Sequence, residues 1–307
     1  MATWFHDGEL EIQQRAGTRQ LADRVAESID DRIPPAATPF LRSQPMLLLG
    51  AESAEGEVIA TILAGAPGFL DPSDDESRLR IHRGLLPNDP LAESLTPGRP
   101  VGMQAIEHRL RRRMRLNGHV ASSSGEVLEI ALAEVYGNCP KYIQAREFVA
   151  ADRSPGMARS GATLTAPQQT LVAESDTFYI ASIHPERGAD ISHRGGMPGF
   201  VRVEDASRLS WPDYSGNNMF QTLGNLQVDD RAGLVFIAPD SGDILHVSGR
   251  CRVDWNMARA AQFPGAQRVI DFEIEHVFER PATFPMRGAL VDYSQHNPPA
   301  ASPSPTT

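Results

Sequence analysis

The sequence predicts a mainly β protein with few helices, built from two β-barrel units that are related by internal duplication and packed as a pseudo-dimer. Short apolar runs such as TFYIASIH, AGLVFIAP and VIDFEIEHVF recur at a spacing of about ten residues, with Gly, Pro and Asp between them. The length of 307 residues, with 41% hydrophobic and 22% charged residues, is ordinary for a globular chain of one large or two smaller domains.

A repeat within the chain predicts the duplication. PMLLLGAESAEGEVIATILAGAPGFL (residues 45–70) parallels TFYIASIHPERGADISHRGGMPGFV (residues 177–201), and both contain Gly-x-Pro-Gly-Phe. Further on, RMRLNGHV parallels LHVSGRCRV, with Gly118 matching Gly249, and VLEIALAEVY parallels VIDFEIEHVF. The matches keep the same order at a nearly constant offset. Two copies of one fold are therefore expected to pack about a pseudo-two-fold axis, as a homodimer would.

The repeat divides the chain into segments. Residues 1–37 form an N-terminal helical segment, residues 38–150 the first barrel, residues 165–285 the second barrel, and residues 286–307 a tail that is partly disordered. Apolar residues at helical spacing in the N-terminal segment predict a helix that starts near Asp7 and is broken near Gly17. Three short helices are predicted later in the chain, at PLAESL, NNMFQTLGNLQVDD and NMARAAQF.

Charge and composition narrow the classes of function. The formal net charge of −10 argues against general binding of nucleic acid or anionic membranes, and no stretch of 18 apolar residues is present. The basic run HRLRRRMR (residues 108–115) is interpreted as a solvated face of a strand or helix. Cys139 and Cys251 lack metal-ligand spacing, and the N-terminus lacks a secretory pattern. We expect a cytoplasmic protein without a metal site.

The second copy carries the densest polar cluster. SHRGG (residues 192–196) precedes the turn PDYSGNN, whose Ser215, Asn217 and Asn218 are predicted to begin a short helix. The first N–H groups of such a helix, together with the Arg194 guanidinium, would form a phosphate cradle. A simple turn with a cap is the competing interpretation. The equivalent of SHRGG in the first copy is the apolar TILAGA, which favours one retained ligand site.

These residues carry a family resemblance. ISHRGGMPGFVRV, LSWPDYSGNNMFQTLGNLQVDDRAGLVFIAP and ILHVSGRCRV together resemble the pyridoxamine 5′-phosphate oxidase-like FMN-binding split-barrel family, in the branch described as flavin-nucleotide-binding proteins. The close match covers residues 175–255, and the first copy matches more weakly through the repeat. The resemblance implies two split β-barrels with FMN at their interface, and an oxidoreductase that transfers hydride or electrons to a small-molecule substrate or redox partner.

The resemblance also implies cofactor-binding residues, which fall into four groups. They are Ser192, His193, Arg194 and Gly195 on the strand that faces the flavin; Ser215, Asn217 and Asn218 at the phosphate and ribityl chain; Thr222 and Asn225 on the following helix; and Asn138, Lys141 and Tyr142 from the first copy. A structural turn is the favoured interpretation of the last group. Arg250 is predicted either to reach the cofactor or to pair with an acid.

Several alternatives stay open at this point. No general acid or base is assigned, although His193 is the best candidate. A non-catalytic flavin carrier is the second hypothesis, and a deazaflavin or a haem in the site is the third. The candidate haem ligands are His6, His108, His193 and His246. The chain is expected to be a monomer with an internal pseudo-dimer, or a homodimer.

Two further features of the sequence bear on these hypotheses. The substrate-phosphate segment of true pyridoxamine 5′-phosphate oxidases has no counterpart beyond Arg287 and His296, so vitamin B6 phosphate is not the expected substrate. The N-terminal cluster of His6, Asp7 and Glu9 could bind a metal, but a capped helix is the favoured interpretation.

Overall fold

The protein is described here by a computed structural model, which covers residues 4–82 and 84–299. It is mainly β and its sheets are antiparallel, as the sequence predicts. The strands of the first unit are β1 (Met46–Glu52), β2 (Val58–Ala64), β3 (Leu70–Pro72), β4 (Arg78–His82), β5 (Pro100–Glu107), β6 (Arg112–Ser123) and β7 (Val127–Gly137). Those of the second are β10 (Thr177–His184), β11 (Gly188–Gly195), β12 (Arg202–Asp205), β13 (Arg208–Asp213), β14 (Arg231–Ile237), β15 (Ile244–Asp254) and β16 (Arg268–Arg280).

The remaining elements surround these two sheets. They are the strands β8 (Ala145–Ala150), β9 (Arg159–Gly161) and β17 (Met286–Asp292), and the helices α1 (Asp7–Arg15), α2 (Arg19–Ala26), α3 (Thr38–Ser43), α4 (Ala166–Glu174), α5 (Gln221–Val228) and α6 (Met257–Ala260). Within the described ranges, no helix is both long enough and apolar enough to cross a membrane.

The two main sheets have the same topology. The first runs in the order β2-β1-β5-β6-β7-β4-β3, and the second runs in the order β11-β10-β14-β15-β16-β13-β12. Each strand of the second sheet therefore stands where the strand nine places earlier stands in the first. An internal duplication would produce this correspondence.

Glycines at corresponding positions of the two units allow backbone conformations and close contacts that a side chain would prevent. The Gly-x-Pro-Gly-Phe segments turn through Gly68 at φ +94° and Gly199 at φ +86°, a conformation that disfavours any side chain. Gly118 in β6 and Gly249 in β15 both lie at a register shift of their strand pair. A Cβ on either would lie within 2.1 Å of a carbonyl oxygen on the neighbouring strand. These repeated residues therefore belong to the framework of the sheets.

Each unit has its own buried core, and a third cluster joins them. The first core includes Leu49, Leu79 and Met103, and the second includes Phe178, Trp211 and Phe272. The joining cluster takes side chains from both sheets; its members include Leu48, Ile62, Tyr179, Ile191 and Val235. Apolar side chains from both units are therefore buried at the boundary between them.

The first helix packs on the second unit. A break at Gly17, with φ +69°, separates α1 from α2, as predicted. His6 and Glu9 form a capping box at the start of α1, which supports the interpretation as a capped helix. The helix crosses α5 closely at Gly8 and Gly224. A Cβ added to Gly8 would lie only 2.3 Å from the Gly224 carbonyl oxygen. Helix α1 therefore covers the back of α5.

One prediction of secondary structure needs correction. The segment PLAESL forms turns and no helix. Residues 151–164, between the two predicted barrels, contain β9, which pairs with β16 of the second sheet. β17, at the start of the predicted tail, pairs with β8. Residues 300–307, which carry the predicted disorder, lie outside the described residues.

Candidate functional site

A cleft opens where the two units meet. It lies between β5, β6 and the segment after β7 on one side, and β11, the end of β13 and the start of α5 on the other. Its empty volume, open mouth included, is about 840 Å³. Most of the candidate cofactor residues line it: Asn138, Lys141, Tyr142, Ser192, His193, Arg194, Gly195, Asn217, Asn218 and Thr222.

Two candidate residues near the cleft do not line it. Ser215 lies at its edge, where its carbonyl oxygen accepts a hydrogen bond of 3.1 Å from the Tyr142 hydroxyl. Asn225 is buried on the far side of α5. Its amide donates to the Ser182 hydroxyl at 3.0 Å, and its carbonyl oxygen lies 3.0 Å from the His6 ring. Asn225 therefore anchors the N-terminal segment.

Arg250 follows the second of its two predicted roles. It lies on β15 outside the cleft, where its guanidinium pairs with Asp230 at 2.5 Å and with Glu275 at 2.9 Å. The prediction that it reaches a cofactor is not supported by this position.

The helix after the asparagine pair begins later than predicted. α5 starts at Gln221, and its N-cap is Phe220 in the left-handed conformation, with no side-chain cap. The Asn217 side chain instead accepts a hydrogen bond from the Met219 N–H at 3.2 Å, which shapes the loop. Gln221 and Thr222 line the cleft. The positive end of the helix dipole consequently borders the cleft, although the predicted caps do not form.

The walls of the cleft are strongly cationic. Four positive side chains line it, namely Arg113, Arg115, Lys141 and Arg194, against the single carboxylate of Asp213. Sequence reasoning missed the first two, because the basic run in which they lie was interpreted as a solvated face. The second half of the run forms the start of β6, and alternation along a strand sends every second residue to one side. The chain has a net charge of −10, yet positive side chains predominate in the lining of this cleft.

Three of these cations are uncompensated. Within the described ranges, Arg113, Lys141 and Arg194 take part in no ion pair. The Arg113 guanidinium donates to the Cys139 carbonyl oxygen at 2.8 Å, and Arg194 donates to the His193 carbonyl oxygen at 3.1 Å. Because neither contact neutralises charge, the cleft has a positive potential that favours an anion.

A buried polar network fixes the fourth cation. Arg115 forms an ion pair with Asp190 and donates to the Ser192 hydroxyl at 2.7 Å. The Thr222 hydroxyl donates to the same oxygen at 3.0 Å. Ser192 in turn donates to Asp190 at 3.3 Å. The hydroxyls of Ser192 and Thr222 are therefore already used by the protein, and they hold Arg115 in place.

His193 is the candidate with unused hydrogen-bonding capacity. Its backbone N–H donates to the Gln104 side chain at 3.0 Å, and its side chain is almost completely buried. Neither ring nitrogen has a hydrogen-bond partner among the described residues. Burial, and next the Arg113 guanidinium, lower the pKa of the ring well below its usual value. The imidazole is neutral at pH 7, so it can offer one N–H and one acceptor nitrogen.

The other three candidate haem ligands lie away from the cleft lining. His6 is bound to Asn225, His108 lies 2.9 Å from the Tyr179 hydroxyl, and His246 accepts from or donates to buried groups on both ring nitrogens. No two of these four histidines line the same cleft.

Two tyrosines form one edge of the cleft. The rings of Tyr142 and Tyr214 lie 5.0 Å apart at 32°. Tyr142 has a positive φ of 66°, and its carbonyl oxygen lies close to β11. A Cβ on Gly195 would lie 2.1 Å from that oxygen. Gly195 thus lets the segment after β7 close over the strand and bring its aromatic ring to the cleft.

Asp213, the carboxylate at the cleft, is held by a stacked arginine. The Arg268 guanidinium lies 4.9 Å from the Phe220 ring centroid and 4.7 Å from that of Trp255. Its Nε is 3.3 Å from the Asp213 carboxylate. Burial raises the pKa of Asp213, and the guanidinium of Arg268 opposes that rise. This pairing reduces the negative field that Asp213 would exert on Arg194.

Comparison with known proteins gives distant structural similarities. No family profile matches the chain, and no curated protein is significantly similar to it in sequence. A variant of HupZ from Group A Streptococcus is 13% identical, with a TM-score of 0.32 over 38% of this chain and 98% of HupZ. A candidate pyridoxamine 5′-phosphate oxidase from Lactobacillus delbrueckii is 20% identical, with a TM-score of 0.31 over 38% and 93% of the two chains. An FAD-binding protein from Mesorhizobium loti is 14% identical, with a TM-score of 0.30 over 42% and 100%.

Proposed function

We propose that the chain binds FMN in the cleft between its two units and acts as an FMN-dependent oxidoreductase on a small molecule. The observation that carries the proposal is the convergence of Arg113, Arg194 and Lys141, without ion-pair partners in the described part of the chain, on a cleft that also receives the N-terminus of α5. Guanidinium groups and helix N-termini are the groups that bind phosphate in proteins.

The residues at the cleft fit both ends of such a ligand. A phosphate fits Arg113, Arg194 and Lys141, which form no ion pair within the described part of the chain. A planar ring fits the aromatic edge formed by Tyr142 and Tyr214. His193, whose ring nitrogens have no hydrogen-bond partner among the described residues, lines the same cleft. The motif resemblance to the FMN-binding split-barrel family assigns the same strand and turn to the cofactor.

When bound, FMN would supply the transfer of hydride or electrons. The chain's own residues would bind and orient it. Asp190 and Ser192 keep Arg115 directed at the cleft, and Gly195 allows Tyr142 to close the edge. His193 is neutral, so its role is to hold one hydrogen bond, and a cationic acid at that position is not part of the proposal.

The test is a comparison of FMN with riboflavin, which lacks the phosphate. We expect FMN to bind with a stoichiometry of one per chain, and riboflavin to bind about 10- to 100-fold more weakly, because the charge-assisted hydrogen bonds are lost. Quenching of flavin fluorescence measures both affinities. Equal affinities, or no binding of either, would overturn the proposal.

A second measurement separates an oxidoreductase from a flavin carrier. The FMN-loaded protein is mixed anaerobically with NADH or NADPH and then with a dye acceptor, and the flavin absorbance is followed. We expect bleaching and repeated recovery for an oxidoreductase. Binding of FMN without turnover with any donor would support the carrier instead. The absorption spectrum of the protein as purified distinguishes FMN from a deazaflavin or a haem.

A further inference from the structure

The end of the described chain lies against one edge of the cleft. Residues 293–299 follow β17, and none of them lines the cleft itself. They contact the segment after β7 (residues 138–144), which brings Tyr142 to the aromatic edge. We call residues 293–299 the C-terminal strap. About 150 positions of chain separate the strap from the segment that it contacts, so these contacts depend on the tertiary fold.

Gln144 joins the strap to both sides of the cleft. Its side chain is completely buried, and its amide donates to the carbonyl oxygens of Tyr142 at 3.1 Å and Gly196 at 3.0 Å. Its side-chain oxygen accepts hydrogen bonds of 2.9 Å from the Ser294 N–H and from the Asn297 side chain. One amide group therefore connects the segment after β7, the residue after β11 and the strap.

The strap also bonds Tyr142 directly. The Tyr142 N–H donates to the Ser294 hydroxyl oxygen at 3.2 Å. Tyr142 has a φ of 66°, and a residue other than glycine keeps such a conformation only where its surroundings hold it there. Here the strap binds the N–H of Tyr142 and Gln144 binds its carbonyl oxygen. Both backbone groups of the strained residue are thus held by the same pair of elements.

Arg111, in the turn between β5 and β6, joins the same two segments. Its Nε donates to the Ile143 carbonyl oxygen at 2.9 Å, and a terminal nitrogen of its guanidinium donates to the Tyr293 carbonyl oxygen at 3.1 Å. Arg111 belongs to the basic run and lies two residues before Arg113, which lines the cleft. The start of the strap is therefore fixed to the segment after β7 as well.

The other end of the strap reaches the second tyrosine of the edge. Pro298 packs against Gly265, where an added Cβ would lie 2.4 Å from the proline ring and 3.7 Å from the ring of Tyr214. Pro298 and Tyr214 also line one small cavity. Because Tyr142 and Tyr214 form the aromatic edge, the strap lies beside both of its members.

We propose that the C-terminal strap holds the aromatic edge of the cleft closed, and that it does so through Gln144. Gln144 does not line the cleft, so it is a positioning residue that acts through Tyr142 and Gly196. Loss of its hydrogen bonds would release Tyr142 from its strained conformation and open the edge. Closure does not depend on which ligand the cleft holds. Its effect on FMN affinity rests on the proposed function.

The thiol of Cys139 reports opening of the edge without any ligand. Cys139 belongs to the segment after β7, is half-buried and lines the cleft. Cys251, the other cysteine of the chain, is buried in the core of the second unit, and burial raises the pKa of its thiol. Because thiolates are the nucleophiles, iodoacetamide should reach Cys251 only when that core opens. Mass spectrometry of the two cysteine peptides measures both rates.

Two variants break the hydrogen bonds of Gln144 from opposite sides. Gln144→Glu keeps the shape and replaces the donating NH2 group by oxygen, whereas Asn297→Ala removes a donor on the strap. We expect each to speed alkylation of Cys139 in the ligand-free protein at least about threefold and to leave Cys251 unchanged. Asn297→Ala keeps the test decisive if a buried carboxylate at position 144 prevents folding.

Exposed residues supply the matched controls. Gln20→Glu lies on α2, and Gln295→Ala lies on the strap, where the Gln295 side chain makes no hydrogen bond to the described residues. Both should be alkylated at the rate of the parent protein. Unchanged alkylation of Cys139 in either test variant would overturn the proposal. Equal acceleration at Cys139 and Cys251 would also overturn it, since the whole fold would then have loosened.

Titration with FMN separates this proposal from the proposed function. If the parent protein binds FMN, both test variants should bind it about fivefold to tenfold more weakly, through faster dissociation. Faster alkylation of Cys139 with unchanged FMN affinity would overturn the positioning role of Gln144. If the parent protein binds no FMN, the FMN proposal fails, and the alkylation rates alone decide whether the strap holds the edge.

Discussion

The Arg280 guanidinium lies 3.2 Å from the Asp89 carboxylate, and both side chains are almost completely buried. Thr61 donates to Asp89 at 2.6 Å and accepts from Arg280 at 3.1 Å, and the His246 ring lies 3.0 Å from Arg280 Nε. In strand register, Thr61 corresponds to Ser192 in the second unit and His246 corresponds to Arg115 in the first. The place in the first unit that corresponds to the cleft between β6, β11 and α5 is therefore filled with paired protein side chains.

This pair leads to a prediction about stability. Arg280→Met leaves Asp89 buried without its counterion, and we expect the free energy of unfolding to fall by about 3–5 kcal/mol. Adding Asp89→Leu removes the remaining charge and should restore most of that loss. Urea denaturation followed by fluorescence measures both changes. A cost below about 1 kcal/mol for Arg280→Met would show that the pair is solvated and that the site is not closed.

Arg194 is predicted to bind the phosphate of FMN. Arg194→Ala should weaken FMN about 10- to 100-fold, because a charge-assisted hydrogen bond is lost, and should leave riboflavin unchanged. Arg250→Ala is the matched control, since Arg250 pairs with acids outside the cleft. Fluorescence titration measures all four combinations. FMN binding in Arg194→Ala as tight as in the parent protein would show that the SHRGG cluster is only a turn.

Gly195 is predicted to be required for closure of the cleft. Gly195→Ala would place a Cβ 2.1 Å from the Tyr142 carbonyl oxygen, so the segment after β7 must move. We expect a loss of roughly 1–3 kcal/mol in unfolding free energy and weaker FMN binding. Gly216→Ala is the control, because a Cβ there would meet no atom within 4 Å. Equal behaviour of the two variants in denaturation and FMN titration would contradict the prediction.

Glu9 is predicted to make stability depend on pH. Burial raises the pKa of its carboxyl to about 8 in the folded state, from a usual value of 4.5. Between these values the folded chain binds more protons than the unfolded chain, so this group's contribution to stability falls as pH rises. Glu9→Gln should therefore gain stability relative to the parent protein as the pH goes from about 5 to about 8.

The control for this prediction is Glu11→Gln, because Glu11 is exposed on the same helix. Its difference from the parent protein should be the same at both pH values. Denaturant midpoints measured across the range give the comparison. A Glu9→Gln difference that does not change with pH would mean that the carboxyl is ionised in the folded protein.

The strands were predictable because their signal is local. TFYIASIH coincides with β10, and the repeated glycines lie where each sheet needs a backbone without Cβ. The start of α5 was not predictable, since Phe220 adopts a left-handed conformation that Asn is more prone to take. The loop, and not the asparagine pair, therefore sets where the helix begins.

The cations of the cleft were partly predictable. Arg194 belongs to a polar motif, whereas Arg113 and Arg115 lie in a basic run whose alternation is informative only once the run is known to be a strand. The Arg280–Asp89 pair joins residues from different units, and no periodic pattern in the sequence indicates this contact. Long-range pairing of this kind depends on the packing of the two sheets.

His6 and Asn225 are in contact although 219 positions separate them in the chain. During translation, α1 leaves the ribosome well before α5, the surface that it covers, has been made. The side of α1 that contacts Gly224 through Gly8 therefore stays exposed until most of the second unit has emerged. Contacts of such sequence separation form slowly. The beginning of the chain is thus expected to be among the last parts to fold.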